Sequence, residues 1–349
     1  MSIIKRSIYG ITKDQLEDYF VSKELAKYRA TQVFESIYRM RYDSFNKITN
    51  IKKDVLTMLD NDFSFNELKI VEQHTSSDGT TKFLFELEDK NLIETVLMVH
   101  EYGYSVCVTT QVGCNMGCKF CASGIVKKIR NLETYEIVLQ VLTIDNYLRK
   151  SDKRVSHVVI MGIGEPFDNY DNVMDFIKII NEPKGLEIGS RHITLSTCGL
   201  VPKIKEFASF PLQVNLAISL HFATNEKRSK YMPINKKYQL DELFDSLEYY
   251  YQQTNRRITL EYILLKDIND SLQDARELAK YAQRLNCYIN LIPYNETGVF
   301  KRSTIEARDA FFNELNKLRV NAIIRKEHGH DIDAACGQLR VKRMNSGKQ

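Results

Sequence analysis

The stretch "YSVCVTTQVGCNMGCKFCASG", residues 104–124, carries an alternating, strand-like segment straight into a cysteine-rich loop. Cys114, Cys118 and Cys121 follow the spacing C-x3-C-x2-C, with the aromatic Phe120 just before the last of them. If residues 104–110 open a repeating strand–helix series, the cysteines fall in the loop at the carboxyl end of its first strand. That end is where such folds build their working sites.

Working outward, the series continues. Strand candidates are "YSVCVTT", "VSHVVIM", "HITLS", "VNLAIS", "ITLEYILL" and "YINLI", and "NAIIR" predicts a seventh. Helix candidates lie between them, near 133–149, 171–181, 201–208, 240–253, 271–285 and 303–318. Six βα units predict an α/β fold, a partial (β/α)6 barrel. Upstream, residues 12–60 show helical apolar spacing at Leu16, Tyr19 and Phe20, then at Val33, Phe34, Ile37 and Tyr38. The same segment carries Lys23, Lys27, Arg29, Arg39 and Arg41. Between the two regions, the turn signal Asp78-Gly79 is flanked by alternating residues. The expected organisation is a helical N-terminal domain over 1–72, a β connector over 73–103 and the barrel over 104–335. A last segment, 336–349, holds Cys336 and the basic tail "RVKRMNSGKQ".

The totals set limits. The chain has 349 residues and a net charge of +4, too small by itself to announce nucleic acid. No apolar run reaches the length of a membrane span. "MSIIKRSIYG" lacks the apolar core of a signal peptide, so a cytoplasmic location is expected. Seven cysteines, an odd number, argue against a disulfide framework and for metal or redox chemistry.

Three thiolates can hold three irons of a four-iron, four-sulfur cluster and leave the fourth iron open to a small molecule. The alternative for the same residues is a zinc knuckle, but structural zinc closes with four ligands and no second cysteine pair is at hand.

The cysteine run resembles the cluster loop of the radical-SAM enzymes, whose fold is a partial barrel. In that superfamily S-adenosylmethionine binds the open iron and is cleaved reductively to a 5′-deoxyadenosyl radical. "MGIGEPFDN", "ITLSTCG", "AISLH", "MPINKKY", "NLIPYN" and "DIDAACGQL" then follow in an order similar to that of the RlmN family. The resemblance spans nearly the whole chain. It implies methylation of carbon 2 of adenosine in RNA: adenosine 2503 of 23S rRNA, in the peptidyl-transferase centre, and adenosine 37 of tRNA. The related Cfr enzymes methylate carbon 8, and the loop "CNMGCKFCASG" has some Cfr character. "GIGEP" with Pro166, "NLIPYN" with Pro293 and "CVTTQVG" side with RlmN. A departure from both is "GIVKKIRNL" after the cluster loop, which has Gly124 but no later glycine pair.

The resemblance also implies residue roles. An adenine amidine carbon is electrophilic and resists a methyl cation. The family therefore loads the methyl on a protein thiolate, here Cys336, as S-methylcysteine. A second S-adenosylmethionine, two per turnover, provides the radical that activates it for addition to the base. Cys107 then attacks the Cys336 sulfur, forming a transient disulfide and releasing methylated RNA. Glu94 matches the family's proton acceptor. The implied S-adenosylmethionine pocket comprises Gly164, Glu165, Ser196, Ser219, Leu220, His221 and Asn295, all near carboxyl strand ends. Cys198 and Cys287 match no motif cysteine and are read as packing residues. Lys127, Lys128, Arg130, Lys227, Arg228, Lys230, Lys236 and Lys237 are expected at the rim, where RNA phosphates would lie, and the helical domain over 1–72 is expected to bind the RNA. Implied partners are 23S rRNA, tRNA and an electron donor such as a flavodoxin or ferredoxin. The chain is expected to act as a monomer, away from membranes.

Overall fold

Thr12 starts the first helix. Its side chain accepts from the Gln15 amide, and the Gln15 side chain accepts from the Thr12 amide, so two otherwise orphaned N–H groups are satisfied. The computed structural model describes residues 5–296, 300–326 and 332. A two-residue strand, β1 (Arg6–Ser7), precedes α1 (Lys13–Ser22), α2 (Tyr28–Tyr38) and α3 (Lys53–Asp62). The chain then pairs back onto β1 through β2 (Phe63–Ser64). Leu16, Phe20, Val33, Phe34, Ile37 and Leu59 fill the space between these helices.

Four antiparallel strands follow: β3 (Lys69–Thr75), β4 (Thr81–Glu86), β5 (Leu92–His100) and β6 (Gly103–Cys107). The Asp78-Gly79 signal does mark the β3–β4 turn, with Gly79 at φ +83°. β6 is the hinge of the architecture. It pairs antiparallel with β5 on one side and parallel with the next barrel strand on the other.

The cysteine loop leaves β6 and is closed at its base by a short ribbon of β7 (Gln111–Val112) and β8 (Arg130–Asn131). α4 (Thr134–Arg149), β9 (Val155–Ile160), α5 (Tyr170–Asn181), β10 (Ile193–Thr197), α6 (Val201–Phe207) and β11 (Asn215–Ser219) come next. α7 (Asn225–Tyr231), α8 (Leu240–Thr254), β12 (Ile258–Leu264), α9 (Leu272–Ala282), β13 (Cys287–Pro293), α10 (Ile305–Lys317) and β14 (Ala322–Ile324) complete the described chain. The strands form one open ten-stranded sheet in the order β14-β13-β12-β11-β10-β9-β6-β5-β4-β3. From β6 to β14 every pairing is parallel. The six expected strands, the seventh at "NAIIR" and the six helices are all present.

"YSVCVTT" is regular only to Cys107. Beyond it the ladder continues irregularly, with Val108 N–H on Val159 O at 3.0 Å and Thr110 N–H on Ile163 O at 2.9 Å. A single apolar core runs from Phe20 and Phe34 in the N-terminal helices through Phe85, Ile144 and Leu260 to Phe311. Among the described residues no helix is long and apolar enough to cross a membrane.

Candidate functional site

The carboxyl ends of the parallel strands and the cysteine loop enclose a cavity of about 290 Å³. The loop is fixed at several points. Cys114 N–H donates to Val126 O at 2.9 Å, Ile129 N–H to Val112 O at 2.7 Å and Lys119 N–H to Tyr231 O at 3.0 Å. Gly113 sits at φ +77°, and a Cβ there would lie 2.3 Å from Lys127 O, so the loop closes only around a glycine.

Cys114, Cys118 and Cys121 all line this cavity and are half-buried. Burial pushes the Cys114 thiol up to about 12, with the charge of Cys121 adding to the effect. Burial and then the neighbouring Cys121 and Cys114 push Cys118 up further. Such a trio ionises together only when a cationic group arrives to offset the mutual repulsion. Among the described residues no three His, Cys, Asp or Glu groups converge closely enough to share one metal ion. Three thiolates with no fourth protein ligand among the described residues suit a cluster whose fourth iron is left open, whereas structural zinc closes with four ligands.

Cys107 also lines the cavity, 7% exposed, in an apolar patch with Val96, Met98, Val159 and Met161. Cys107 pairs directly with Val96 across β5 and β6, and both residues line the cavity. Glu94 precedes Val96 by two residues on β5, so the alternation of the strand sets both on the same face. Glu94 is 3% exposed, and its carbonyl oxygen accepts from Thr109 Oγ1 at 2.6 Å.

The other lining residues come from successive strand ends. Gly164 follows β9 at φ +110°, where a Cβ would lie 2.7 Å from the Gln111 side chain. Gln111 in turn accepts from the Glu165 amide through Oε1 at 2.9 Å. Glu165 is 3% exposed, and its carboxylate takes the Phe167 amide at 3.0 Å and the Cys198 amide at 2.8 Å. Burial raises its pKa and these hydrogen bonds oppose the rise. Its oxygens thus tie β9 to β10 and retain acceptor capacity toward the cavity.

Ser196 Oγ donates to Glu261 Oε2 at 2.7 Å and stands 3.2 Å from Ser219 Oγ. His221, in the left-handed region at φ +58°, accepts from Ile263 N–H through Nδ1 at 3.2 Å. Its ring packs edge-on against Phe120, with centroids 5.0 Å apart. Burial, reinforced by the charge of Arg228, holds its pKa down at about 3. The ring is therefore neutral, as its acceptor role at Nδ1 requires.

The structure thus gathers Cys107, Cys114, Cys118, Cys121, Gly164, Glu165, Ser196, Ser219 and His221 around one cavity. It does not bring Glu94, Leu220 or Asn295 to the lining; Glu94 is buried on β5 two residues before the lining residue Val96. Leu220 is buried in the core, with its amide on Glu261 O at 3.1 Å, and Asn295 is exposed beyond β13. Cys336 lies outside the described residues. Glu261, Cys198 and Arg325 line the cavity although sequence reasoning assigned them no part in it. The carboxylate interrupting the apolar run "ITLEYILL" was the available signal for Glu261.

The expected basic rim is only partly realised. Lys128 pairs with Asp168 at 2.7 Å, Arg130 with Glu136 at 2.6 Å and Lys227 with Asp274 at 2.6 Å. Arg228 is a correction: the turn of α7 that exposes Lys230 points Arg228 inward, where it is 1% exposed. Lys127, Lys230, Lys236 and Lys237 are exposed.

Comparison with known proteins agrees with this geometry. The profile of the Radical SAM superfamily matches residues 108–281. That of the ribosomal RNA large subunit methyltransferase N-terminal domain matches residues 7–64. A relative from Enterococcus faecalis, named "Probable dual-specificity RNA methyltransferase RlmN", is 54% identical over 99% of this chain and 98% of its own. One of the same name from Acholeplasma laidlawii is 52% identical over 97% of this chain and 99% of its own. The crystal structure of a radical SAM methyltransferase from Sphaerobacter thermophilus superposes with a TM-score of 0.89 at 38% identity. It covers 96% of this chain and 99% of that one.

Proposed function

The chain belongs to the RlmN family of radical-SAM RNA methyltransferases, and from that membership we propose that it methylates carbon 2 of adenosine in 23S rRNA and in tRNA. The targets are adenosine 2503 of the rRNA and adenosine 37 of the tRNA. The observation that carries this reading is a single cavity joining the three loop cysteines to a separate buried cysteine, Cys107.

Cys114, Cys118 and Cys121 fit a [4Fe-4S] cluster, and Gly164, Glu165, Ser196, Ser219 and His221 fit S-adenosylmethionine around it. Bound there, the two groups supply one-electron reductive cleavage, and with it abstraction of a hydrogen atom from an unactivated methyl group. The chain supplies the rest. Gly164 leaves room for close backbone approach, and the Glu165 carboxylate accepts from an ammonium group. The apolar surround of Cys107 and the enclosing strand ends exclude water. Cys336 is the methyl carrier. Cys107 resolves the RNA–protein link when its thiolate forms a bond to the Cys336 sulfur as the carbon–sulfur bond breaks, the bonding pair passing to the released carbon, which takes up a proton to become the methyl group. A thiol reductant must then reopen the disulfide before the next turnover. Glu94, buried on β5 two residues from the cavity-lining Val96, accepts the proton from carbon 2.

Nucleoside mass spectrometry of rRNA and tRNA, from cells with and without the protein, tests the reading. 2-Methyladenosine is expected in both RNAs only when the protein is present, and it should be lost with Cys336→Ala. 8-Methyladenosine in its place would assign the chain to the carbon-8 chemistry of Cfr.

A further inference from the structure

Among the described residues, Arg228 is a buried cation that sits against no carboxylate. Its Nε donates to Leu220 O at 3.2 Å, Nη1 to Asn235 Oδ1 at 3.0 Å and Nη2 to Cys198 O at 2.6 Å. All three acceptors are neutral. Among the described residues, the groups of opposite sign that its charge feels are the Cys198 and Cys118 sulfurs, once ionised. An isolated ion in a protein interior is costly, so a fold that keeps one places a counter-charge nearby.

The surroundings show where that counter-charge belongs. Cys198, whose carbonyl holds the guanidinium, lines the cavity beside Cys118. The last residue of α7, Tyr231, accepts from the Lys119 amide of the cysteine loop at 3.0 Å. Arg228 is thus fixed to the wall that carries the cluster ligands. Of the charges acting on Cys118, Arg228 favours the thiolate, while Cys121, Cys114 and Glu165 oppose it.

We propose that Arg228 is a positioning residue for the reaction: its fixed charge is the counter-ion of the cluster held by Cys114, Cys118 and Cys121, and it raises that cluster's reduction potential. This rests on the cluster reading above. Three thiolates give a four-iron cluster a net negative charge. Uptake of one electron from an external donor adds one more negative charge, with no bond made or broken. A nearby guanidinium stabilises the more negative, reduced state. Arginine keeps its proton across the working pH range, so this bias is constant.

The test is a redox titration of the full chain, anaerobically reconstituted with iron and sulfide and followed by the electron-paramagnetic signal of the reduced cluster. Arg228→Gln removes the charge. Asn235→Asp keeps the size of a neighbour in contact with Nη1 and sets a carboxylate against the guanidinium. Arg228→Lys keeps the charge and loses the fork. At a fixed applied potential, the first two variants should lower the reduced-to-oxidised ratio about tenfold, or about 59 mV for a one-electron couple, and Arg228→Lys should stay within about threefold of the parent. An unchanged ratio in the loaded Gln and Asp variants overturns the proposal. So does a Lys variant that falls as far as the Gln variant, since the hydrogen-bond scaffold, not the charge, would then be at work. If Arg228→Gln fails to assemble the cluster, Asn235→Asp decides. A parent chain that binds no iron and gives no reduced signal would instead overturn the underlying cluster assignment.

Discussion

His221 shows how one residue serves the site through its neutrality. Its Nδ1 accepts a hydrogen bond from the Ile263 N–H of β12, its backbone carbonyl accepts from Asn269 at 2.7 Å and its ring braces Phe120, beside the last loop cysteine. A protonated ring could not accept at Nδ1, and it would place a second cation near Arg228. The folded pKa of about 3 lies below the ordinary 6.5. As pH falls below 6.5, the unfolded chain therefore takes up a proton that the folded chain refuses, and stability declines down to about pH 3. Above 6.5 the contribution is flat. The slope is about 1.4 kcal/mol per pH unit, so His221 should account for about 2 kcal/mol of stability lost between pH 6.5 and 5. Asparagine tolerates the left-handed backbone and offers an acceptor but does not titrate. Urea unfolding of the parent and of His221→Asn at pH 7 and pH 5 measures the difference. Equal losses in both would show that this ring is not held neutral.

At the scale of elements, the strand ends are coupled through Gly164. Adding a methyl group there forces a side chain into the φ +110° region and drives it against Gln111, whose Oε1 holds the Glu165 amide. Backbone strain of this kind costs about 1–3 kcal/mol. Gly164→Ala should therefore weaken S-adenosylmethionine binding by at least about fivefold in calorimetry. Gly189→Ala, where the nearest atom is 3.9 Å away, should leave binding unchanged. The strands themselves were legible in the sequence, because parallel strands covered on both faces read as short apolar runs such as "VVIM" and "LAIS". The loop cysteines were legible too, because ligand spacing is local. Ser196–Glu261 and Arg228–Cys198 were not, since each pair joins segments 65 and 30 residues apart and forms only when β10, β11 and β12 align. The two-residue ribbon of β7 and β8 is too short to show any alternation.

On the scale of the whole molecule, the N-terminal helices and the barrel share one core. Phe34 of α2 abuts Gly185 beyond α5, and a Cβ on that glycine would lie 2.7 Å from the ring. Tyr38 donates to Tyr9 O at 2.9 Å within the same packed layer. Across the junction Arg41 pairs with Asp145 of α4, a carboxylate that also takes the Val155 amide and Arg149 Nε, both at 2.9 Å. This carboxylate is almost wholly buried, and the pair is the polar counterpart of the apolar seam. Removing one partner of a buried pair costs about 3–5 kcal/mol, and here Arg149 offsets part of that. Arg41→Ala should therefore lower stability by about 2–4 kcal/mol. Because the seam is continuous, scanning calorimetry of the parent and the variant should each give one cooperative transition, with that of the variant at lower temperature. Two resolved transitions, the lower one alone shifted by Arg41→Ala, would mean that the helices fold apart from the barrel.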